Sequence, residues 1–88
     1  MIVLFENGMA TLLLDSEEYD ANGNIQFGDV VNGAWRLEVR NGEFLAKDGN
    51  HIVTSRPAPD YDILEVPESV NGDYNQILQW AQYLYEQS

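Results

Sequence analysis

Twelve consecutive residues come closest to a chemical site: Glu18-Tyr19-Asp20-Ala21-Asn22-Gly23-Asn24-Ile25-Gln26-Phe27-Gly28-Asp29. Calcium loops of the helix–loop–helix type place oxygen ligands at loop positions 1, 3 and 5, a Gly at 6 and a bidentate Glu at 12. Asp20, Asn22 and Gly23 fall on positions 3, 5 and 6, and Asp29 falls on 12. Both anchors depart from the pattern. Glu18 stands where Asp is expected, and Asp29 is one methylene shorter than the closing Glu. Asn32-Gly33 follows where a helix should begin. Asp-Ala-Asn-Gly is also ordinary turn chemistry. A backbone turn accounts for the same letters, and a calcium set of Asp20, Asn22 and Asp29 stands as the alternative. No cofactor is expected.

The remaining chemistry is sparse. His51 is the single His and there is no Cys, so disulfides and thiolate zinc sites are excluded. Carboxylates are many, but nothing places two of them in the opposed environments that acid–base catalysis needs. Ser16, Ser55, Ser69 and Ser88 lack a neighbouring base, and there is no Gly-rich phosphate loop. The sequence reads as a binding protein rather than an enzyme.

Charge is the unusual property. There are 15 acidic and 4 basic side chains, for a formal net charge of −11. Arg36, Arg40, Lys47 and Arg56 are the cations, and residues 1–35 and 57–88 hold none. Phosphate backbones and anionic lipid are bound by Lys and Arg, so direct nucleic-acid or membrane binding is not expected. A protein partner or self-association is. Such a surface also serves solubility alone. No apolar run approaches the roughly 20 residues of a membrane span, and the first residues lack the pattern of a signal peptide. These features point to a cytoplasmic protein.

The elements that position these residues are organised around 34–55, AWRLEVRNGEFLAKDGNHIVTS. Trp35, Leu37 and Val39 alternate with Arg36, Glu38 and Arg40, the period of a half-buried strand. Asn41-Gly42 is a strong hairpin signal, because both residues tolerate positive φ. A two-residue loop sets Arg40 opposite Glu43, Val39 opposite Phe44 and Leu37 opposite Ala46. At 48–50 the preferred reading is a three-residue loop with a bulge, which puts Ile52 and Thr54 on the inner face. A two-residue loop would put His51 there.

A second hairpin is expected at Asn7-Gly8, with Phe5 opposite Ala10, Val3 opposite Leu12, Leu4 opposite Thr11 and Ile2 opposite Leu13. It is apolar on both faces, so both must be covered, or one must be an interface. A helix over 9–19 is the alternative there. An extended segment near Tyr19 and a short strand over 25–27, broken by Gly28-Asp29, should flank a turn. Residues 56–59, with two prolines, read as an extended connector, and 61–66 as a final strand.

Over 73–87 the periodicity is helical. Asp73 is a good N-cap and Gln76 completes a capping pair. Tyr74, Ile77, Leu78, Ala81, Leu84 and Tyr85 form one apolar stripe, and Trp80 and Tyr83 lie beside it. The expected fold is one α+β domain over 1–88, with strands within 2–66. A strongly curved antiparallel sheet of five to seven strands, a small barrel or sandwich-like meander, carries the C-terminal helix. The expected core is Val3, Phe5, Leu12, Trp35, Leu37, Val39, Phe44, Ile52, Leu64, Ile77, Leu78, Ala81 and Leu84.

The stretches NGAWRLEVRNGEF and YDILEVPESVNGDY, within residues 33–74, resemble small acidic phage-encoded proteins. Those include tail-associated and accessory proteins and small acidic inhibitors of host systems. The resemblance implies a structural or adaptor module that docks by a sheet edge or by the apolar N-terminal hairpin. The alternative it implies is an acidic inhibitor that mimics nucleic acid in a basic groove. Asp15, Glu17, Glu18, Asp20, Trp80 and Tyr83 are the candidate partner-binding residues.

Overall fold

Asn41 and Gly42 both adopt positive φ, 51° and 76°, as a type I′ turn requires. They join a strand over Arg36–Arg40 to one over Glu43–Asp48 in the expected register: Arg40 opposite Glu43, Val39 opposite Phe44, Leu37 opposite Ala46. Asn7 and Gly8, at 53° and 80°, make the same turn near the N-terminus. The computed structural model describes residues 1–15, 17–19, 25–29, 31, 35–58 and 60–87, with 17–19 and 25–29 as backbone. Its elements are β1 (Ile2–Glu6), β2 (Met9–Leu14), β3 (Glu17–Tyr19), β4 (Ile25–Asp29), β5 (Arg36–Arg40), β6 (Glu43–Asp48), β7 (His51–Pro57), β8 (Tyr61–Glu65) and α1 (Tyr74–Gln87).

The fold is α+β, as expected, but the strands form two antiparallel sheets rather than one curved sheet or a closed barrel. One has the order β2-β1-β8, the other β3-β4-β5-β6-β7. The reason lies in the first hairpin, which is apolar on both faces. Ile2, Leu4 and Leu14 pack with Leu37, Phe44 and Ala58, between the two sheets. Val3, Phe5 and Leu13 pack with Val66, Ile77 and Ala81, under α1. The result is three layers, helix on three strands on five. Ile2 to Phe5 are all 5% exposed or less, so β1 is the central strand of the molecule, covered on both faces. The meander adds β3 and β4 to the three strands read from 34–55.

Three registers differ from expectation. In the first hairpin, Phe5 faces Ala10 as expected, but beyond it Leu4 faces Leu12, Val3 faces Leu13 and Ile2 faces Leu14. A bulge extrudes Thr11, whose hydroxyl then donates to Glu6 Oε2 at 2.7 Å. The hydroxyl also lies 3.3 Å from Leu4 O, so it has acceptors to hand and avoids the cost, about 1–3 kcal/mol, of an unpaired buried hydroxyl. At the second meander turn, Asp48 faces His51, so the loop is the two-residue Gly49-Asn50. Gly49 at φ 63° supplies the positive φ at the first central position that a type II′ turn needs. The bulge comes later, between the Lys47–Ile52 and Ala46–Thr54 pairs. It brings Thr54 onto the inner face but leaves Ile52 on the outer one, 47% exposed. Finally, β4 runs through Gly28-Asp29 with an irregular register against β5 instead of breaking.

The chain returns to the first sheet through Ala58, whose N–H donates to Gly42 O at 2.9 Å. Arg56 and Pro57, read as connector, extend edge strand β7, where a proline is tolerated. β8 then pairs with β1, far away in sequence. Helix α1 starts as expected. Gln76 N–H donates to Asp73 Oδ1 at 2.8 Å, and Asp73 N–H donates to Gln76 Oε1 at 2.9 Å. Asp73→Ala should therefore cost about 1 kcal/mol in a denaturant titration. Tyr74 and Leu78 are half-buried on the helix–sheet core, but Leu84 is 40% exposed. Tyr85 in the last turn stacks on Phe5, and Leu84 beside it borders a hollow over β8 instead of packing into the sheet.

Candidate functional site

The cations are used internally. Arg40 Nη2 lies 2.8 Å from Glu38 Oε1, and Lys47 Nζ lies 3.5 Å from Glu38 Oε2. Arg36 donates to Gly49 O at 3.2 Å. Arg56 donates to Glu6 Oε2 at 2.6 Å, and its guanidinium stands 5.5 Å over the Phe44 ring. That pair ties the two sheets together, alongside the edge-on Phe44–Tyr61 contact at 5.6 Å. Because Arg56 is half-exposed, Arg56→Ala should cost no more than about 1 kcal/mol, and less at high salt. Comparing denaturation midpoints at low and high salt checks this.

With every Lys and Arg engaged, the other carboxylates keep their field. Asp60, Asp62 and Glu65 are exposed along β8. Glu86 lies in the last turn of α1, which carries no basic residue, so the negative end of the helix dipole adds to theirs.

Asp60 and Asp62 border a trough that is apolar at one end and polar at the other. One hollow of about 250 Å³ is lined by Phe5, Asp62, Ile63, Leu64, Leu84 and Tyr85. A second, of about 320 Å³, shares Phe5, Asp62 and Tyr85 and continues to Asp60, Tyr61, Asn7 and Gly8. Tyr85 forms the wall between them and stacks on Phe5, with ring centroids 4.6 Å apart and planes at 22°. Leu84, 40% exposed, gives the first hollow an apolar rim.

The sheet edges differ in how they are covered. Along β2, Ala10 N–H donates to Gln82 Oε1 at 2.7 Å and Leu13 N–H to the Tyr74 hydroxyl at 3.2 Å. Leu13 O accepts from Val31 N–H at 2.9 Å. β7 is exposed throughout, but it is bulged and ends in proline, two devices that discourage strand pairing. It borders a third hollow, of about 210 Å³, that includes Trp35, Val53 and Thr54. β3 has only three residues. On β8, Val66 N–H donates to Met1 O. Antiparallel alternation then turns the amides of Leu64 and Asp62 toward β1 and those of Ile63 and Glu65 outward. Among the described residues, the outward groups of Ile63 and Glu65 meet no other strand.

The residues singled out from sequence are scattered. Asp15 ends β2 and is exposed, Glu17 and Glu18 lie in β3, and Asp20 is outside the described residues. Trp80 packs on the helix–sheet core and Tyr83 is 62% exposed. Tyr74 touches β2 near Asp15, whereas Gln82, beside Tyr83, bonds Gly8 O at the far end of the hairpin. Asp15 and Tyr83 thus sit about 13 Å apart along the helix axis. Of the calcium set, Asp20 and Asn22 are outside the described residues, and Asp29 stands in β4 opposite Arg36. Glu18 faces Gln26 in the β3–β4 pair, so both ends of the twelve-residue stretch are strands. Among the described residues no three His or acidic side chains gather as metal ligands, and His51 is exposed opposite Asp48. No helix there is long and apolar enough to cross a membrane.

Of the trough residues, Leu84 and Tyr85 were expected on the apolar stripe, and none of Asp60, Asp62, Ile63, Leu84 and Tyr85 was expected to bind a partner. Their signal was faint: an apolar Ile63-Leu64 step between acids, in a strand with apolar groups on both faces. No protein-family model, no curated protein and no solved structure matches this chain.

Proposed function

We propose that this is a non-enzymatic protein-binding module that docks a basic partner along β8 and the end of α1. The observation that carries it is a trough, apolar at its Leu84 end, bordered by Asp60 and Asp62, which have no ion-pair partner among the described residues. The hydrophobic contact supplies affinity, and the negative field selects a positive partner and speeds encounter. A second copy of the chain is the wrong occupant. Every copy carries a net charge of −11, so two such acidic edges repel one another.

Light scattering at low and high salt should show a monomer in both. A tetralysine peptide titrated calorimetrically should bind at low salt and weaken steeply as salt rises. A dimer whose mass ignores salt, or indifference to the peptide at low salt, overturns this reading.

The same self-contained cations support a second reading, an acidic inhibitor that imitates nucleic acid over a broad surface. It is distinguished by Asp60→Asn combined with Asp62→Asn. A mimic spreads its contacts and should keep its affinity for a basic probe within about twofold. The trough should lose about tenfold, since a charged hydrogen bond is worth roughly 1.5–3 kcal/mol.

A further inference from the structure

We infer that the trough is a strand-addition site for an extended segment with the pattern apolar–any–basic, read antiparallel to β8. This rests on the basic-partner reading and specifies its ligand. Ile63 and Glu65 direct their amides and carbonyls outward, so an added strand finds main-chain partners there. The helix side of that strand faces the trough. Leu64 and Asp62 are two residues apart on this face, opposite Val3 and Phe5, which spaces them about 7 Å. Consecutive same-face residues of an incoming strand have the same spacing.

A strand running antiparallel to β8 passes Leu64 first and Asp62 second. Its first trough-facing side chain therefore meets the apolar hollow between Leu64 and Leu84. Its next, two residues on, meets Asp62, Asp60 and the Tyr85 ring. A Lys or Arg suits that position. Its charge is met by two carboxylates and the negative end of α1, and its stem lies along the aromatic face. Antiparallel addition is favoured because every pair in both sheets is antiparallel, and that ladder is slightly the more stable. The residue between the two stands opposite Ile63 and bonds its outward carbonyl.

The probe is the capped peptide TTLTRTT, titrated into the whole chain and followed by the amide NMR shifts of β8 and α1. Shifts should concentrate at Ile63, Leu64, Glu65 and Leu84. The reversed order TTRTLTT should bind at least about fivefold more weakly, and TTLTETT not measurably. N-methylation of the central Thr, which leaves the protein untouched, should cost about tenfold, the worth of one main-chain bond. Ile63→Pro should do the same, since its amide points outward and proline is tolerated on an edge. Ile63→Thr, which keeps the amide, should stay within about threefold.

If both peptide orders bind equally and shrug off N-methylation, strand addition is refuted while the basic-partner reading survives. If neither basic peptide binds anywhere on the chain, both fall.

Discussion

Phe5→Ala should remove about 3–5 kcal/mol of stability, the range for deleting a buried Phe side chain. A chain of this length carries only about 4–13 kcal/mol in total. Phe5 is 2% exposed, joins the cluster that holds Val3, Leu13, Ile77 and Ala81, and stacks on Tyr85. Its loss costs the transfer energy of the ring, leaves a cavity between sheet and helix, and frees the last turn of α1. The cavity cannot close readily, because the opposite face of the same strand is held by the second sheet through Leu4. Roughly 4–8 °C of melting temperature is lost per kcal/mol, so a thermal melt should shift downward by about 15–30 °C. A shift below about 5 °C would mean that α1 does not dock on β1. Peptide binding should fall too, since Phe5 lines both hollows of the trough.

The second large effect is at Glu38. Its carboxylate is 2% exposed, on the face of the five-stranded sheet turned away from the first core, with Arg40 at 2.8 Å and Lys47 at 3.5 Å. Removing one member of a buried ion pair strands the other charge, at a cost of about 3–5 kcal/mol where both are buried. Here the partners differ. The Arg40 side chain is 45% exposed and can turn to water, whereas that of Lys47 is 15% exposed and has less room to do so. Glu38→Ala should therefore cost about 2–4 kcal/mol. Glu38→Gln keeps the volume and an acceptor oxygen and should cost less, about 1–2 kcal/mol. Equal effects from both substitutions, measured by urea unfolding, would show that volume rather than charge is what this position supplies. Neither variant should alter peptide binding in the trough, which lies on the other sheet.

Glu38 also shows where alternation stops informing. Arg36, Glu38 and Arg40 read as a solvated charged face, and the register that follows is the observed one. Yet Glu38 and its neighbour across the ladder, Leu45, are both buried. Periodicity tells which residues share a face. It does not tell what covers that face. The same limit applied to Leu84, read as core and found bordering a hollow, and to Ile52, set outward by the two-residue turn. It applied to the trough as well. Its acids and its apolar rim come from β8 and α1, whose residues look like an ordinary strand and an ordinary stripe until both are laid against β1.

What the residues determined alone was local. Positive φ at Asn7-Gly8 and Asn41-Gly42, the reciprocal Asp73–Gln76 cap, the helical stripe and the two-sided apolarity of the first hairpin all depend on atoms within a few positions of one another. Each could be argued from side-chain chemistry and backbone sterics. What the tertiary structure decided was non-local. It set β8 beside β1 across more than half the chain, split the strands between two sheets, used Thr11 as a bulge, and left one edge open while α1 closed the other. Those outcomes depend on which of several compatible apolar faces meet, and that is settled by packing the whole volume at once.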